Sequence, residues 1–377
     1  MRESLRRLAH SSDDGMERHG RRTGTRRVRV ELLDSEHITV DIDRKARGGD
    51  LLDKICETLD LLEKDYFGML YVQRGDPRVW VDLNRRLSKT FKNEPWDVRF
   101  AVKFYPPEPS ELKDDTTRYQ IALAVRRDLI ESRLTCSHIT YALLSSYVLQ
   151  AELGDYEEGS LTPSTLSQYR AVPLNAITPE FENKMEDLYK KHRQVSINIT
   201  FALTSNQDNK KWMDLGCYVS PKGQSPAEAE LQLLQSAARL PLYGAEQHAA
   251  VDSTGVALAL AVSHTGVAVY RDGTLMNRFP WAKITKICYN KRIFTLRLRA
   301  SEFDECETSL SFGTTATTAC KKLWKCCVEH HMFFRREAPV VVSRIPGLAR
   351  LGSRRISCRR TLRQLRQEPS PPTAAMA

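Results

Sequence analysis

A chain of 377 residues, 41% hydrophobic and 8% aromatic, exceeds one ordinary domain and can fill two or three packed cores, which excludes general disorder. Its formal net charge of +10 favours acidic partners: anionic lipid, nucleic acid or acidic protein tails. The nine cysteines are odd in number and include no C-x-x-C pair, so the pattern argues against a disulfide framework or a zinc site and for reduced thiols in the cytosol.

The Arg-rich start, Met1–Arg27, lacks the apolar core of a secretory signal, and residues 1–25 read as a disordered basic arm. No run of about 18 apolar residues follows, so any membrane contact is expected to be peripheral. Val28, Val30 and Leu32 alternate with polar residues, Asp34, Ser35 and Glu36 make a turn, and Ile38, Val40 and Ile42 alternate again. That pattern predicts a hairpin. Leu51, Leu52, Ile55, Leu59 and Leu62 fall at helical spacing. Strands are expected at Gly68–Gln73, around Trp80 and Val81, and at Val98–Phe104. Hairpin, helix and further strands over residues 26–105 give a ubiquitin-like α+β roll.

Pro106, Pro107 and Pro109 then form a linker that cannot continue a strand ladder. Helical patterns follow at Thr117–Glu131, His138–Glu152, Phe181–His192 and Ala227–Leu240, so residues 106–240 read as a helical lobe. Over 241–336 strands return: Val256–Ala261, Gly266–Tyr270, Leu275–Phe279, Ile284–Tyr289, Phe294–Arg299 and Thr308–Phe312. One long helix, Thr317–Phe334, closes the segment, with an apolar stripe of Cys320, Leu323, Trp324, Cys327, Val328 and His331. Two antiparallel sheets capped by a C-terminal helix make a pleckstrin/phosphotyrosine-binding (PTB) architecture. The Arg-rich tail, 337–377, reads as a basic and mostly disordered extension.

The order of these lobes resembles the FERM module of the band 4.1 superfamily, and particular residues carry the resemblance. Leu61-Leu62-Glu63-Lys64-Asp65-Tyr66-Phe67-Gly68 is similar to the end of the first lobe's helix, and Phe100-Ala101-Val102-Lys103-Phe104-Tyr105-Pro106 to the strand that leaves that lobe. Thr117-Arg118-Tyr119 and Gln150-Ala151-Glu152-Leu153-Gly154-Asp155-Tyr156 resemble landmarks of the second lobe. Asn277-Arg278-Phe279-Pro280-Trp281 with Lys283-Ile284, and Leu323-Trp324-Lys325-Cys326-Cys327-Val328-Glu329-His330-His331, resemble the third. The matches span about Arg26 to Arg336. The resemblance implies an α+β fold of three lobes in a cloverleaf: ubiquitin-like roll, acyl-CoA-binding-protein-like bundle and pleckstrin/PTB-like lobe. One departure is Gln194–Lys222, an atypical insertion between helices that the family joins almost directly. Its β-like texture (Val195, Ile197, Ile199, Phe201) suits a surface excursion. Its Gln-Val-Ser start, encodable as CAG-GTA-AGT, also suits a retained intron.

A search for catalytic chemistry finds none. No cysteine has Arg six positions on, as a tyrosine phosphatase nucleophile requires, and there is no G-x-x-x-x-G-K-[ST], G-x-S-x-G or H-E-x-x-H. His330-His331 point about 100° apart on a helix and do not converge on one ion. Neither metal nor cofactor is expected, nor is nucleic acid, since no reader motif is present.

What remains is binding. The resemblance implies a phosphoinositide site between the first and third lobes, on Arg85 and Arg86 after Trp80, with Lys291, Arg292 and Arg299 from the third lobe. Asp82 departs from the lysine usual there. A pleckstrin-like lobe also leaves a strand edge beside its C-terminal helix. Its walls here would be Lys286, Ile287, Cys288, Tyr289 and Asn290, with Trp324 and Cys327 of the helix. Arg354-Arg355-Ile356-Ser357 matches a basophilic kinase site, with Ser357 the acceptor. The implied function is a non-catalytic adaptor at the cell cortex. It would join cytoplasmic tails of membrane proteins and anionic phospholipid to the cytoskeleton, with actin- or spectrin-linked or PDZ scaffold proteins as further partners. The alternative is the regulatory front end of a FERM-type tyrosine phosphatase.

Overall fold

The computed structural model describes residues 24–204, 223–299 and 308–334, with side chains throughout except over 193–204. The expected basic arm (but for Gly24 and Thr25), most of Gln194–Lys222, the basic tail and Ser357 lie outside the described residues. The chain divides into two compact units, Met1–Tyr243 and Gly244–Ala377.

The first unit opens with the hairpin β1 (Thr25–Glu31) and β2 (His37–Asp43), in a register that sets Val28 against Val40 and Val30 against Ile38. The turn places Ser35 at φ +73°. Strands β3 (Phe67–Gln73), β4 (Asp76–Trp80) and β5 (Asp97–Val102) complete a five-stranded sheet ordered β2-β1-β5-β3-β4, with β1 and β5 parallel. Helix α1 (Gly48–Thr58) packs beside β2 and buries Leu51, Leu52, Ile55 and Cys56. The helix stops before Leu62, which is 78% exposed. Asp60 takes φ +54° and turns the chain out, and a 3₁₀ turn at Lys64–Tyr66 leads into β3. The one-turn helix α2 (Leu87–Thr90) follows the loop after β4 and buries Leu87 and Thr90.

The helical part follows with α3 (Asp115–Ile130), α4 (His138–Leu153), the short α5 (Pro163–Gln168), α6 (Pro179–Thr204) and α7 (Pro226–Ala238). Their starts are written in the sequence: Asp114 accepts from the amides of Thr116 and Thr117, Ser137 from that of Thr140, and Ser225 with Glu228 forms a capping box. Helix α4 packs on α6 and α7, enclosing Leu144, Leu149, Tyr189 and Leu234. Helix α6 continues twelve residues past the expected end at His192, so the β-like texture of Val195–Phe201 is not expressed as strand. Extending an existing helix costs far less than nucleating a new element, and β-branched residues resist it only weakly.

A buried polar node ties these parts of the first unit together. Tyr105, just past β5, donates its hydroxyl to Asp128 of α3, which also accepts from the Arg133 guanidinium. Burial and the Asp128 carboxylate push the Tyr105 phenol well above its usual range. Arg127 reaches from α3 to Glu31, the Leu32 carbonyl and Ser35.

The second unit is one sheet ordered β10-β11-β12-β6-β7-β8-β9, formed by β6 (Glu246–Val251), β7 (Ala257–Ser263), β8 (Gly266–Arg271), β9 (Thr274–Pro280), β10 (Ile284–Asn290), β11 (Ile293–Leu298) and β12 (Thr308–Gly313). The two expected sheets are thus joined, through the single pair Gly313–Val251. Helix α8 (Thr317–Phe334) packs on them over a core that includes Leu260, Val262, Phe279, Trp281, Phe294, Leu296 and Leu323. Gly266 sits at φ +143°, and a Cβ there would lie 2.1 Å from the Phe279 carbonyl oxygen, so the β7–β8 turn admits glycine only. Among the described residues, no helix is long and apolar enough to cross a membrane.

Candidate peptide groove and basic faces

Strand β10 ends the seven-stranded sheet: its partner is β11, and α8 lies alongside. An edge strand offers unpaired backbone groups to an incoming chain. Lys286 and Asn290 are exposed, while Ile287, Cys288 and Tyr289 are half-buried. The Trp324 indole N–H donates to the Ile287 carbonyl at 3.2 Å, and its ring lies 5.3 Å from that of Tyr289. Trp324 therefore stands beside β10 on the α8 side and holds one of its backbone acceptors.

Cys327 does not belong to that wall. It is fully buried in the core, and burial pushes its thiol well above the ordinary range, so it presents no atom to a ligand. The buried face of α8 is Cys320, Leu323, Cys326, Cys327 and His330 rather than the expected stripe. Trp324, Val328 and His331 sit at its margin, half-buried. His330 donates Nδ1–H to the Cys326 carbonyl at 2.9 Å, and His331 meets the edge of Trp281 with centroids 5.7 Å apart.

The basic residues expected of the third lobe separate into two places. Lys291, at φ +51°, and Arg292 form the exposed β10–β11 turn. Arg299 lies at the opposite end of β11, across a strand that spans roughly 20 Å at ~3.3 Å per residue. It cannot share one small head group with the turn. In the first unit, Arg85 and Arg86 stand exposed on the loop between β4 and α2. The Gly48 amide donates to the Arg85 carbonyl and the Gly49 amide to that of Leu83, which seats this loop on the N-terminus of α1. Arg86 also pairs with exposed Arg47 in an isolated antiparallel bridge. Arg47 thus joins the two expected arginines. It lies too far away in sequence for local patterning to link them. Asp82, at the position noted as a departure, accepts from the Asn84 amide and stabilises the turn.

Among the described residues, one group could hold a metal: Glu246 and His248 of β6 with Cys326 of α8. The spacing test that argued against zinc could not see it, because the donors come from two elements about eighty residues apart, on a strand the sequence pattern did not predict.

An edge-open pleckstrin-like sheet with a helix beside it, following a ubiquitin-like roll and a helical bundle, defines a FERM protein. The chain matches the family models for the FERM N-terminal domain over residues 30–93, the FERM central domain over 107–248 and the FERM C-terminal PH-like domain over 252–341. It belongs to the FERM family, within the band 4.1 superfamily. It is 44% identical over 318 residues to the protein 4.1 homolog of Drosophila melanogaster, covering 84% of this chain and 17% of that protein. It is 39% identical over 347 residues to human band 4.1-like protein 2 (92% and 31%) and 36% identical over 339 residues to human protein 4.1 (90% and 36%). The chain therefore spans well under half the length of these relatives. Among solved structures, the FERM and C-terminal domain complex of Drosophila Merlin superposes with a TM-score of 0.65 at 22% identity, over 81% of this chain and 95% of that one. A human myosin 7b MyTH4-FERM domain, solved with harmonin-a PDZ3, does so at 0.54 and 13% identity, over 81% and 60%. Both are likenesses of fold.

Proposed function

We propose that this chain is a non-catalytic adaptor whose third lobe holds the cytoplasmic tail of a membrane protein as an added strand on β10. The observation that carries this reading is the position of β10 at the end of its sheet with α8 beside it. Backbone hydrogen bonds would supply affinity, and the half-buried Ile287, Cys288, Tyr289 and Trp324 would sort side chains. Lys286, Lys291 and Arg292 steer an acidic or carboxylate-ended tail toward the edge. Arg47, Arg85 and Arg86 form a separate basic face for an anionic head group, since guanidinium forks match phosphate oxygens.

On this reading the protein sits at the cytoplasmic face of the plasma membrane, at the cortex and junctions. There it ties tails and anionic phospholipid to actin- or spectrin-linked or PDZ scaffold proteins. Phosphorylation of Ser357 would add nearly two negative charges to a basic tail and weaken its hold on lipid. The protein 4.1 relatives named above do not favour the alternative, a phosphatase front end.

The test uses charge reversal. Peptides selected from a library of juxtamembrane tails should lose affinity for the chain carrying Lys286→Glu with Lys291→Glu, and keep it for Arg85→Glu with Arg86→Glu. Vesicles containing phosphatidylinositol 4,5-bisphosphate should show the reverse. Tail binding indifferent to the first pair would refute the groove assignment, and lipid binding indifferent to the second would remove the basic face.

A further inference from the structure

The inward face of β6 is unusual for a strand in the middle of a sheet. Its neighbour β7 turns Leu260 and Val262 to the core, whereas β6 sets Glu246 and His248 opposite them, with Ala250 next along. Residues two apart share a face of a strand, so Glu246 and His248 stand side by side, and His248 Nε2 lies 3.5 Å from Glu246 Oε1. Their side chains are only 13% and 9% exposed. Helix α8 crosses this face and brings Cys326, itself 4% exposed, against them. The carboxylate oxygen, the imidazole nitrogen and the thiol sulfur all lie within 4.8 Å of one another.

We propose that Glu246, His248 and Cys326 form a binding site for a zinc-class divalent cation, which would pin α8 to β6. The donor set fits the chemistry: thiolate, imidazole and carboxylate are the three side-chain ligand types of zinc. Metal–ligand bonds of about 2.0–2.3 Å place neighbouring donors of a tetrahedral ion roughly 3.3–3.7 Å apart. The nitrogen–oxygen pair already stands at that separation, and the sulfur needs to close by about 1.3 Å at most. As the ion enters, the Cys326 S–H bond breaks, its proton passes to solvent, and the sulfur–metal bond forms. Three protein ligands leave a fourth position for water. The expectation of no metal rested on local spacing, the lack of C-x-x-C and H-E-x-x-H and the divergence of His330 and His331, none of which bears on a strand-plus-helix site. The inference is independent of the tail groove.

The experiment takes the full chain, reduced and stripped with chelator, and adds zinc or cobalt(II) alone. One equivalent of zinc should bind in competition with a chromophoric chelator. Cobalt should show a thiolate-to-metal charge-transfer band with tetrahedral d–d absorption, and zinc should raise Tm. Cys326→Ser should abolish the charge-transfer band and the zinc-dependent rise in Tm. It should weaken binding beyond the roughly 100-fold typical of changes outside the first coordination sphere. Glu246→Gln, which keeps shape and thiol, provides a second variant if Cys326→Ser folds poorly, and it should weaken binding while retaining the band at higher metal concentration. Absence of the band from the wild-type chain, or a band unchanged by Cys326→Ser, or zinc affinity unchanged by Glu246→Gln, would overturn the assignment.

Discussion

Tyr105→Phe removes one oxygen from the node that joins the end of β5 to α3, and its cost can be worked from the contacts. The ring stays, and with it the edge-to-face packing on Tyr243 at 5.3 Å. Asp128 keeps the Arg133 guanidinium, whose Nε lies 2.8 Å from Oδ1, so no charge is stranded. The loss is therefore one hydrogen bond to a buried carboxylate, about 1.5–3 kcal/mol. In a unit of this size that lowers Tm by roughly 3–10 °C. Asp128→Ala should cost more, about 2–4 kcal/mol, because it leaves the buried Tyr105 hydroxyl without its acceptor and removes one of Arg133's two carboxylate partners, Glu131 remaining. The double variant should cost less than the sum, with a coupling of about 1–2 kcal/mol. Thermal unfolding followed by hydrogen exchange of the α3 amides reads the cycle. A Tyr105→Phe effect under ~0.5 kcal/mol, or strict additivity, would refute the reasoning.

Gly266→Ala should destabilise the second unit by more than about 2 kcal/mol, since its Cβ would meet backbone that cannot move aside; chemical denaturation followed by Trp281 fluorescence measures it. Burial lowers the His192 pKa from 6.5 to about 4, while the unfolded chain protonates near 6.5, so this histidine's contribution is present above pH 6.5 and lost as pH falls through about 4. That loss is about 1–3 kcal/mol, and His192→Gln should flatten the acid limb of a plot of stability against pH. Trp324→Phe keeps a ring beside Tyr289 but releases the Ile287 carbonyl and narrows the groove wall, and should lower stability by about 1 kcal/mol and weaken tail binding in titration calorimetry; unchanged binding would remove the indole from the recognition surface. Spliced messages should join the codon for Gln194 directly to that for Gly223, and transcripts that consistently carry the intervening codons would end the retained-intron reading.

Much of the fold is legible because its signals are local. Asp114, Ser137 and the Ser225–Glu228 box announce helix starts that the backbone obeys, and Thr317–Phe334 is read from periodicity alone. Strand β6 is not legible: Glu-Gln-His-Ala-Ala-Val has neither alternation nor a β-branched run, and the strand forms because β7 supplies a partner in register. The buried face of α8 departs from the expected stripe, taking Cys326 and His330 in place of Trp324, Val328 and His331, and at Trp324 the reason is steric. The indole is large and carries a donor that finds the Ile287 carbonyl at the margin, so the small thiol takes the place under β6. Site residues fared likewise. Lys286–Asn290 fall on one edge because they are consecutive, whereas Arg47 beside Arg86, and Arg299 far from Lys291, follow from pairings that no local window contains.

The tail groove is tested most directly by amide hydrogen exchange across β10, read on the full chain with and without a saturating tail peptide. The account predicts slowed exchange concentrated at Lys286–Asn290, with the α8 amides near Trp324 affected and β9, the opposite edge, unchanged. Protection that appeared on β9, or in the first unit, with β10 left as it was, would contradict it.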